Sequence, residues 1–164
     1  MTSDATRNFV WQGLLDMARY QRYYGELERR YRRRHQSVRF ALGVSGVVTA
    51  LPLVVSIPEI VSSIGGALVV ALVIWDLVHD YGKRLSGLRV AVEGLTNLVH
   101  RYRLLWDEVN GGSVSASIAR RRVAEMNDAA LDLVRGMEGV RDDKLNDRCE
   151  EEVYRLEAER YAAG

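Results

Sequence analysis

Two long apolar stretches in the middle of the chain decide its class. Residues 40–57 are 18 positions without a charge, residues 60–75 are a further 16, and only Pro58 and Glu59 separate them. At about 1.5 Å of rise per residue, each stretch is long enough, or nearly so, to cross a hydrocarbon core of roughly 30 Å. The short break leaves room only for a tight reversal. The pattern predicts a transmembrane helical hairpin over residues 38–80, with the buried central pair of a soluble bundle as the alternative.

Side chains on both sides of the hairpin recur at alternating spacings of four and three, which is the heptad pattern of a packed helix. The seam before the hairpin comprises Gly13, Met17, Tyr20, Tyr24, Leu27 and Tyr31. The seam after it runs over residues 88–109. Each seam is long enough to pair with the other or with a neighbouring copy. The residues that we expect to form an oligomer seam are Tyr24, Leu27, Leu95, Tyr102 and Trp106.

Helical spacing continues through the rest of the chain. Residues 110–113 read Asn-Gly-Gly-Ser and end the helix before them, and apolar residues then recur at helical spacing over 123–140 and 145–156. No stretch alternates as a strand would. The predicted fold is all-α, with long amphipathic cytosolic helices on both sides of the hairpin. We expect a cytosolic helix over 1–37, the transmembrane hairpin over 38–80 and a cytosolic helical region over 81–164.

Charge is segregated along the chain, although the net charge is only +1. Residues 1–37 carry eight Arg against four acids, residues 83–122 carry eight basic residues against three acids, and residues 124–164 carry twelve acids against six basic residues. The basic segments flank the hairpin and suit anionic lipid head groups. The connecting turn has no Lys or Arg, so the positive-inside rule places both termini in the cytoplasm.

The composition also bears on source and compartment. Twenty-one Arg against two Lys, with abundant Gly, Val and Ala, is typical of a GC-rich bacterial genome. The lone Cys149 cannot form an intramolecular disulfide, which fits a reducing compartment for the C-terminal part. We therefore expect a multi-pass protein of the bacterial inner membrane.

Motifs that carry catalytic chemistry are missing from the sequence. It contains no HExxH, GxSxG, Gly-Lys-Ser/Thr or CxxC pattern, so we expect no enzyme, no catalytic residues and no cofactor. A metal site joining His79 and His100 to the nearby aspartates competes with a solvated helix end, which we favour. Nucleic acid is not an expected partner, because the aromatic residues lie on the helical seams rather than on a platform for bases.

Polar residues form one stripe on the first apolar stretch. Ser45, Thr49, Pro52 and Ser56 follow at intervals of four, three and four, so they share one helix face. In lipid, hydroxyls and small residues face neighbouring helices or an aqueous path more often than acyl chains. The stripe therefore marks either helix packing within the hairpin or the lining of a pore. Two helices cannot enclose a pore, so conduction requires several copies.

Arg39 and Asp76 are the ionisable residues nearest the predicted membrane core. Counting outward from the turn, Arg39 lies 19 residues before Pro58, and Asp76 lies 17 after Glu59. An antiparallel hairpin brings the two side chains to similar depth. We therefore expect an interfacial ion pair, with a charged pore mouth as the alternative.

These features together resemble the SLATT family, the two-transmembrane effector domains associated with bacterial nucleotide-signalling and conflict systems. The resemblance covers most of residues 8–110. It lies in an N-terminal helix with Trp11 and a Tyr-rich seam, a basic run, a tight hairpin, and a helix ending in Leu105-Trp106. It implies a membrane effector in antiphage defence that oligomerises and perforates the inner membrane when a partner sensor is triggered.

The resemblance adds no catalytic residues. We expect no fused sensor, so the expected partners are the lipid bilayer, further copies of the chain, and a separate sensor or nucleotide-signalling protein. The rival hypothesis is a membrane-anchored helical scaffold that recruits a cytosolic partner and conducts nothing.

Overall fold

The structure is a computed structural model and describes residues 4–50, 59–79, 81–135, 137 and 142–162. All regular structure in these ranges is α-helical, which confirms the predicted class. The helices are α1 (Asp4–Ala50), α2 (Glu59–His79), α3 (Tyr81–Asn110), α4 (Ala116–Val134) and α5 (Asp143–Ala162). Helix α1 continues without a break into the first apolar stretch, whose remaining residues 51–57 lie outside the described ranges.

The chain divides into two compact units. Unit 1 comprises Met1–Leu27 and Gly87–Gly164, and unit 2 comprises Glu28–Ser86. The first part of α1 thus belongs to the same unit as the C-terminal helices. Within the ranges that the structure describes, no helix combines the length and the apolar character needed to cross a membrane.

Helix α3 supplies the largest share of the core of unit 1. Five of its buried side chains occupy predicted seam positions, and Ala91, Leu98 and Leu105 widen the buried face beyond the seam. Each Leu or Val removed from water contributes about 1.5–3 kcal/mol. The buried residues of α3 are Leu88, Ala91, Leu95, Leu98, Val99, Tyr102, Leu105 and Val109. Helix α3 ends as predicted at Asn110, where Gly112 takes the left-handed conformation (φ 70°) that favours glycine.

The predicted seam residues lie inside a single chain. Leu27, Leu95 and Tyr102 are buried in unit 1, and Tyr24 and Trp106 pack against its core. Within unit 1 the seams of α1 and α3 therefore meet each other, which is the first of the two alternatives above. Contact between copies through these residues stays a prediction.

The seam of α1 differs from its prediction at Tyr20. This residue is 40% exposed, and the Arg19 guanidinium lies over its ring at 5.3 Å from the centroid. Tyr23 is buried instead, and its hydroxyl accepts a hydrogen bond from the backbone N–H of Asp142 (2.9 Å). The difference arises because α3 and the start of α5 both cover α1, so its buried face is wider than a two-position seam.

Gly13 lets α1 approach α3 closely. A Cβ placed on Gly13 would lie 2.8 Å from the Cε1 atom of Tyr102, which is too close for real atoms. The Tyr102 ring fills this space and is fully buried, and its hydroxyl donates a hydrogen bond to Asn127 Oδ1 on α4 (2.8 Å). Burial, with a smaller effect of the Asp16 carboxylate, raises the pKa of Tyr102 to about 12.

We predict that Tyr102 makes stability fall at high pH. The unfolded chain loses this proton near pH 10, whereas the native chain keeps it to about pH 12, so the native state binds more protons in between. The free energy of unfolding should therefore drop by roughly 2–3 kcal/mol over that interval. Tyr102→Phe should cost about 1 kcal/mol near pH 7, through the lost hydrogen bond, and should flatten the decline.

Urea unfolding across this pH range measures both effects. The exposed Tyr154 provides the control variant Tyr154→Phe, and equal declines in all three proteins would contradict the assignment.

Candidate functional site

The candidate site is the contact between α1 and α2 in unit 2. A Cβ placed on Gly65 of α2 would lie 2.7 Å from Thr49 Oγ1 and 3.2 Å from the Thr49 backbone nitrogen. The side chain of Thr49 therefore lies directly against the α2 backbone at Gly65, where the absence of a side chain makes room for it. Small residues permit this kind of close approach between helices.

The polar stripe of α1 faces this contact as far as the structure describes it. Ser45 is 4% exposed, and Thr49 is partly buried and donates its hydroxyl hydrogen to the Ser45 backbone oxygen (2.8 Å). This bond to the preceding turn is the usual way for a helical Thr to satisfy its hydroxyl. Pro52 and Ser56, the other two members of the predicted stripe, lie outside the described residues. In this arrangement Ser45 is buried and Thr49 lies at the contact between α1 and α2.

A small pocket beside Ser45 is almost entirely apolar. It is lined by Val44, Ser45, Val48, Ile64, Gly65 and Leu68. It exists because Ser45 and Gly65 are small where larger residues surround them. Its lining offers one hydroxyl and no charged group, so the pocket has the chemistry of helix packing rather than of ion coordination.

Asp76 lies opposite His35 rather than Arg39. The distance from His35 Nδ1 to Asp76 Oδ1 is 3.8 Å, and both atoms are buried without a hydrogen-bond partner among the described residues. Arg39 is exposed, and the ion pair expected between Arg39 and Asp76 is not formed among the residues described. The predicted partner of Asp76, Arg39, therefore lies four residues, or about one helical turn, after the residue that faces Asp76.

The helix register explains the shift. Ten residues separate His35 from Ser45 on α1, and eleven separate Gly65 from Asp76 on α2. With Ser45 and Gly65 lining the same pocket, an antiparallel pair brings His35 level with Asp76. The expected register assumed that the helices were symmetric about Pro58 and Glu59. That assumption sets Arg39 level with Asp76, whereas the residue level with Asp76 is His35, one helical turn earlier on α1.

Gly65 and His35 are the residues of the site that sequence reasoning missed. A signal for Gly65 was present, since Gly65, Val69, Leu72 and Asp76 follow at intervals of four, three and four. Reading back from Asp76 at heptad spacing would have identified Gly65, and not its neighbour Gly66, as the contact residue. No comparable signal identified His35, because its role depends on the register.

The outer faces of the same helices are apolar and exposed. Large hydrophobic side chains lie there on both helices, among them Phe40 (76% exposed), Val47 (63%) and Ile60 (68%). Unit 2 therefore buries a serine, a glycine and part of a threonine while it leaves large hydrophobic groups on its surface. Water is a poor environment for large hydrophobic side chains exposed in this way.

Two further observations bear on the chemistry. No three His, Cys, Asp or Glu side chains group as metal ligands in the described part of the chain, and the His79 side chain of the alternative metal site lies outside it. None of the family models, curated proteins and solved structures compared with the chain matches it.

We predict opposite effects for alanine at the two adjacent glycines of α2. Gly65→Ala forces a methyl group against Thr49 and should cost about 1–3 kcal/mol, less a gain of up to about 1 kcal/mol in helix propensity. Gly66→Ala meets nothing within 4 Å and should be neutral or stabilising. Thermal unfolding followed by circular dichroism, in one buffer for both variants, gives the comparison. Identical shifts in the two variants would show that α1 and α2 do not pack through Gly65.

Proposed function

We propose that the chain is a membrane effector of a bacterial defence or conflict system, of the type that the resemblance to the SLATT family implies. In this proposal residues 38–80 form a hairpin inserted in the inner membrane, with both termini in the cytoplasm. A separate sensor or nucleotide-signalling protein triggers assembly of several copies, and the assembly permeabilises the membrane.

The observation that carries the proposal is the exposed apolar surface of unit 2. Of eighteen exposed large hydrophobic residues in the described ranges, ten lie between residues 40 and 75. They are Phe40, Val44, Val47, Ile60, Ile64, Leu68, Val70, Val73, Ile74 and Trp75. Water is a poor environment for such a surface, whereas acyl chains are a suitable one. The small and polar residues at the contact between α1 and α2 suit helix packing in lipid.

Basic residues at the ends of this apolar surface support the same proposal. Arg33, Arg34 and Arg39 are exposed just before it on α1, and Lys83 and Arg84 are exposed after it. Each cation near an anionic lipid surface contributes about 1 kcal/mol of attraction. The arrangement fits a hairpin whose two ends lie at the cytoplasmic head groups.

Conduction through the polar stripe requires a rearrangement of the hairpin. Ser45 and Thr49 face α2 of the same chain, so they do not line a path while α1 and α2 stay packed. We therefore propose a closed hairpin that opens on triggering and turns the stripe towards other copies. The same observation also favours the rival function, a non-conducting anchored scaffold, because a scaffold needs Ser45 and Thr49 only for packing α1 against α2.

Insertion and topology are the first test. The membrane fraction should retain the protein after carbonate extraction, because the hairpin is embedded rather than adsorbed. In a Cys149→Ala background, Ile57→Cys should react with an impermeant maleimide from outside intact spheroplasts. Tyr154→Cys, on an exposed position of α5, should react only after permeabilisation. Recovery of the protein in the soluble fraction without detergent would refute the hairpin.

Locking the hairpin tests whether opening is needed. In the Cys149→Ala background, Thr49→Cys with Gly65→Cys places two sulfurs across the contact, where a Cβ on residue 65 lies 3.4 Å from the Thr49 Cα. Disulfides join Cα atoms up to about 6.8 Å apart, and this approach of residue 65 to the Thr49 Cα keeps the two Cα atoms within that limit. In proteoliposomes at a protein density high enough to drive assembly without the trigger, followed with a potential-sensitive dye, the oxidised protein should not dissipate the potential, and the reduced protein should.

The single-cysteine variants are the controls and should behave alike in both redox states. Equal activity of the locked and reduced proteins would remove opening from the mechanism. If the wild type and every variant leave the potential intact, the scaffold becomes the better proposal.

A further inference from the structure

Helix α5 packs against the rest of unit 1 through a face that includes a buried carboxylate. Its buried positions recur every four residues and are Leu145, Cys149, Val153, Glu157 and the partly buried Tyr161. Where a helix of this kind normally carries a fourth apolar residue, α5 carries Glu157, which is 5% exposed. The buried residues of helix α4, by contrast, are all apolar: Ala119, Val123, Met126 and Ala130.

Ion pairs to two other helices fasten α5. Arg19 and Arg22 of α1 pair with Glu150 (2.8 Å) and Glu152 (2.5 Å) of α5. Arg103 of α3 pairs with Glu157 (2.5 Å). The pairs to Glu150 and Glu152 are partly exposed, so their attraction weakens as salt screens it. Burial of Leu145, Cys149 and Val153 supplies the larger part of the attraction, and the ion pairs are the part that salt or a competing charge can weaken.

Unsatisfied donors collect under α5. The Nε atoms of Arg19 and Arg103 and the Nε1 atom of Trp106 are buried without a hydrogen-bond partner in the described part of the chain. Both arginines pair with α5, and the Trp106 ring lies against Tyr161 of α5, with centroids 6.0 Å apart. A buried donor without a partner opposes the docked state, because water would satisfy it after release.

We propose that α5 is a removable strap: it leaves α1 and α3 as a unit when its ion pairs are screened or competed, while α1, α3 and α4 stay packed. Release frees three arginines on two helices. It also uncovers the indole rings of Trp11 and Trp106, whose centroids lie 5.2 Å and 6.0 Å from that of Tyr161. The strap thus masks a cationic, aromatic face of unit 1. This inference does not depend on membrane insertion, because every contact that it uses lies in unit 1.

Cys149 provides a natural reporter of release. Its side chain is 1% exposed, and burial, reinforced by the Glu152 carboxylate, raises the pKa of its thiol. Both effects suppress reaction with an alkylating reagent while α5 is docked. The chain has no other cysteine, so the rate of modification by the uncharged N-ethylmaleimide reports this helix alone.

The experiment compares charge variants in the full chain. Arg19→Gln with Arg22→Gln removes both pairs and should raise the rate of Cys149 modification by about 2- to 30-fold, the range expected from losing two partly exposed pairs. Loss of the Arg22 charge by itself raises the thiol pKa and slows the reaction, so a faster reaction reports release. Glu151→Gln, at the exposed position between the two paired glutamates, should leave the rate unchanged. The wild-type rate should rise between about 0.1 M and 1 M salt, and the double variant should show a weaker salt dependence.

Hydrogen exchange separates release of α5 from global unfolding. In high salt, the amides of α5 should lose protection while those of α3 and α4 keep theirs. Joint loss of protection in all three helices, or a Cys149 rate that ignores both salt and the double substitution, would overturn the strap. If the double variant does not fold, the wild-type salt series decides by the same criteria.

Discussion

The contact of Tyr102 with its neighbours is the interaction on which unit 1 depends. The ring occupies the space that Gly13 leaves open on α1, and the hydroxyl reaches Asn127 on α4, so one side chain joins three helices. A larger residue at position 13 would push α1 away from α3, and a shorter residue at position 102 would leave a cavity and an unpaired acceptor. The register of α1, α3 and α4 therefore follows from one glycine and one tyrosine, and the heptad seams extend that register along the helices.

The two units bury opposite kinds of side chain where their helices meet. Unit 1 places Leu, Val, Met and Tyr side chains inside and keeps most of its charge outside, as proteins in water do. At the contact of α1 with α2, unit 2 places Ser45, Thr49 and Gly65 inside and leaves Phe40, Ile60 and similar residues exposed. In water the second arrangement forgoes most of the hydrophobic contribution to stability. In lipid it does not, because close packing and hydrogen bonds hold helices together there. This contrast within one chain is the main physical support for the proposed membrane role.

The sequence predicted what depends on local periodicity and missed what depends on partners. The all-helical class, the seam of α3 and its end at Asn110 follow from spacing and from glycine chemistry, and the structure confirms them. Tyr20 was misplaced because a second helix widens the buried face of α1. His35 was missed because the register of α1 against α2 depends on where Gly65 allows close approach. The pairing of Arg19 with Glu150 joins residues 131 positions apart, and no local pattern encodes such a distance.

The same long-range pairing changes the meaning of the charge segregation. By sequence alone, the acidic C-terminal segment is the part farthest from the hairpin. In the structure Glu150, Glu152 and Glu157 pair with arginines of α1 and α3, so part of the opposite charge cancels inside unit 1. The cancellation is incomplete at the level of hydrogen bonds, because the Nε atoms of Arg19 and Arg103 stay unpaired among the described residues. A buried donor without a partner offsets part of the stability that its ion pair contributes. An acidic helix bound in this way has a defined position, and its release costs less free energy than release of a helix with fully satisfied donors. A removable strap requires both properties.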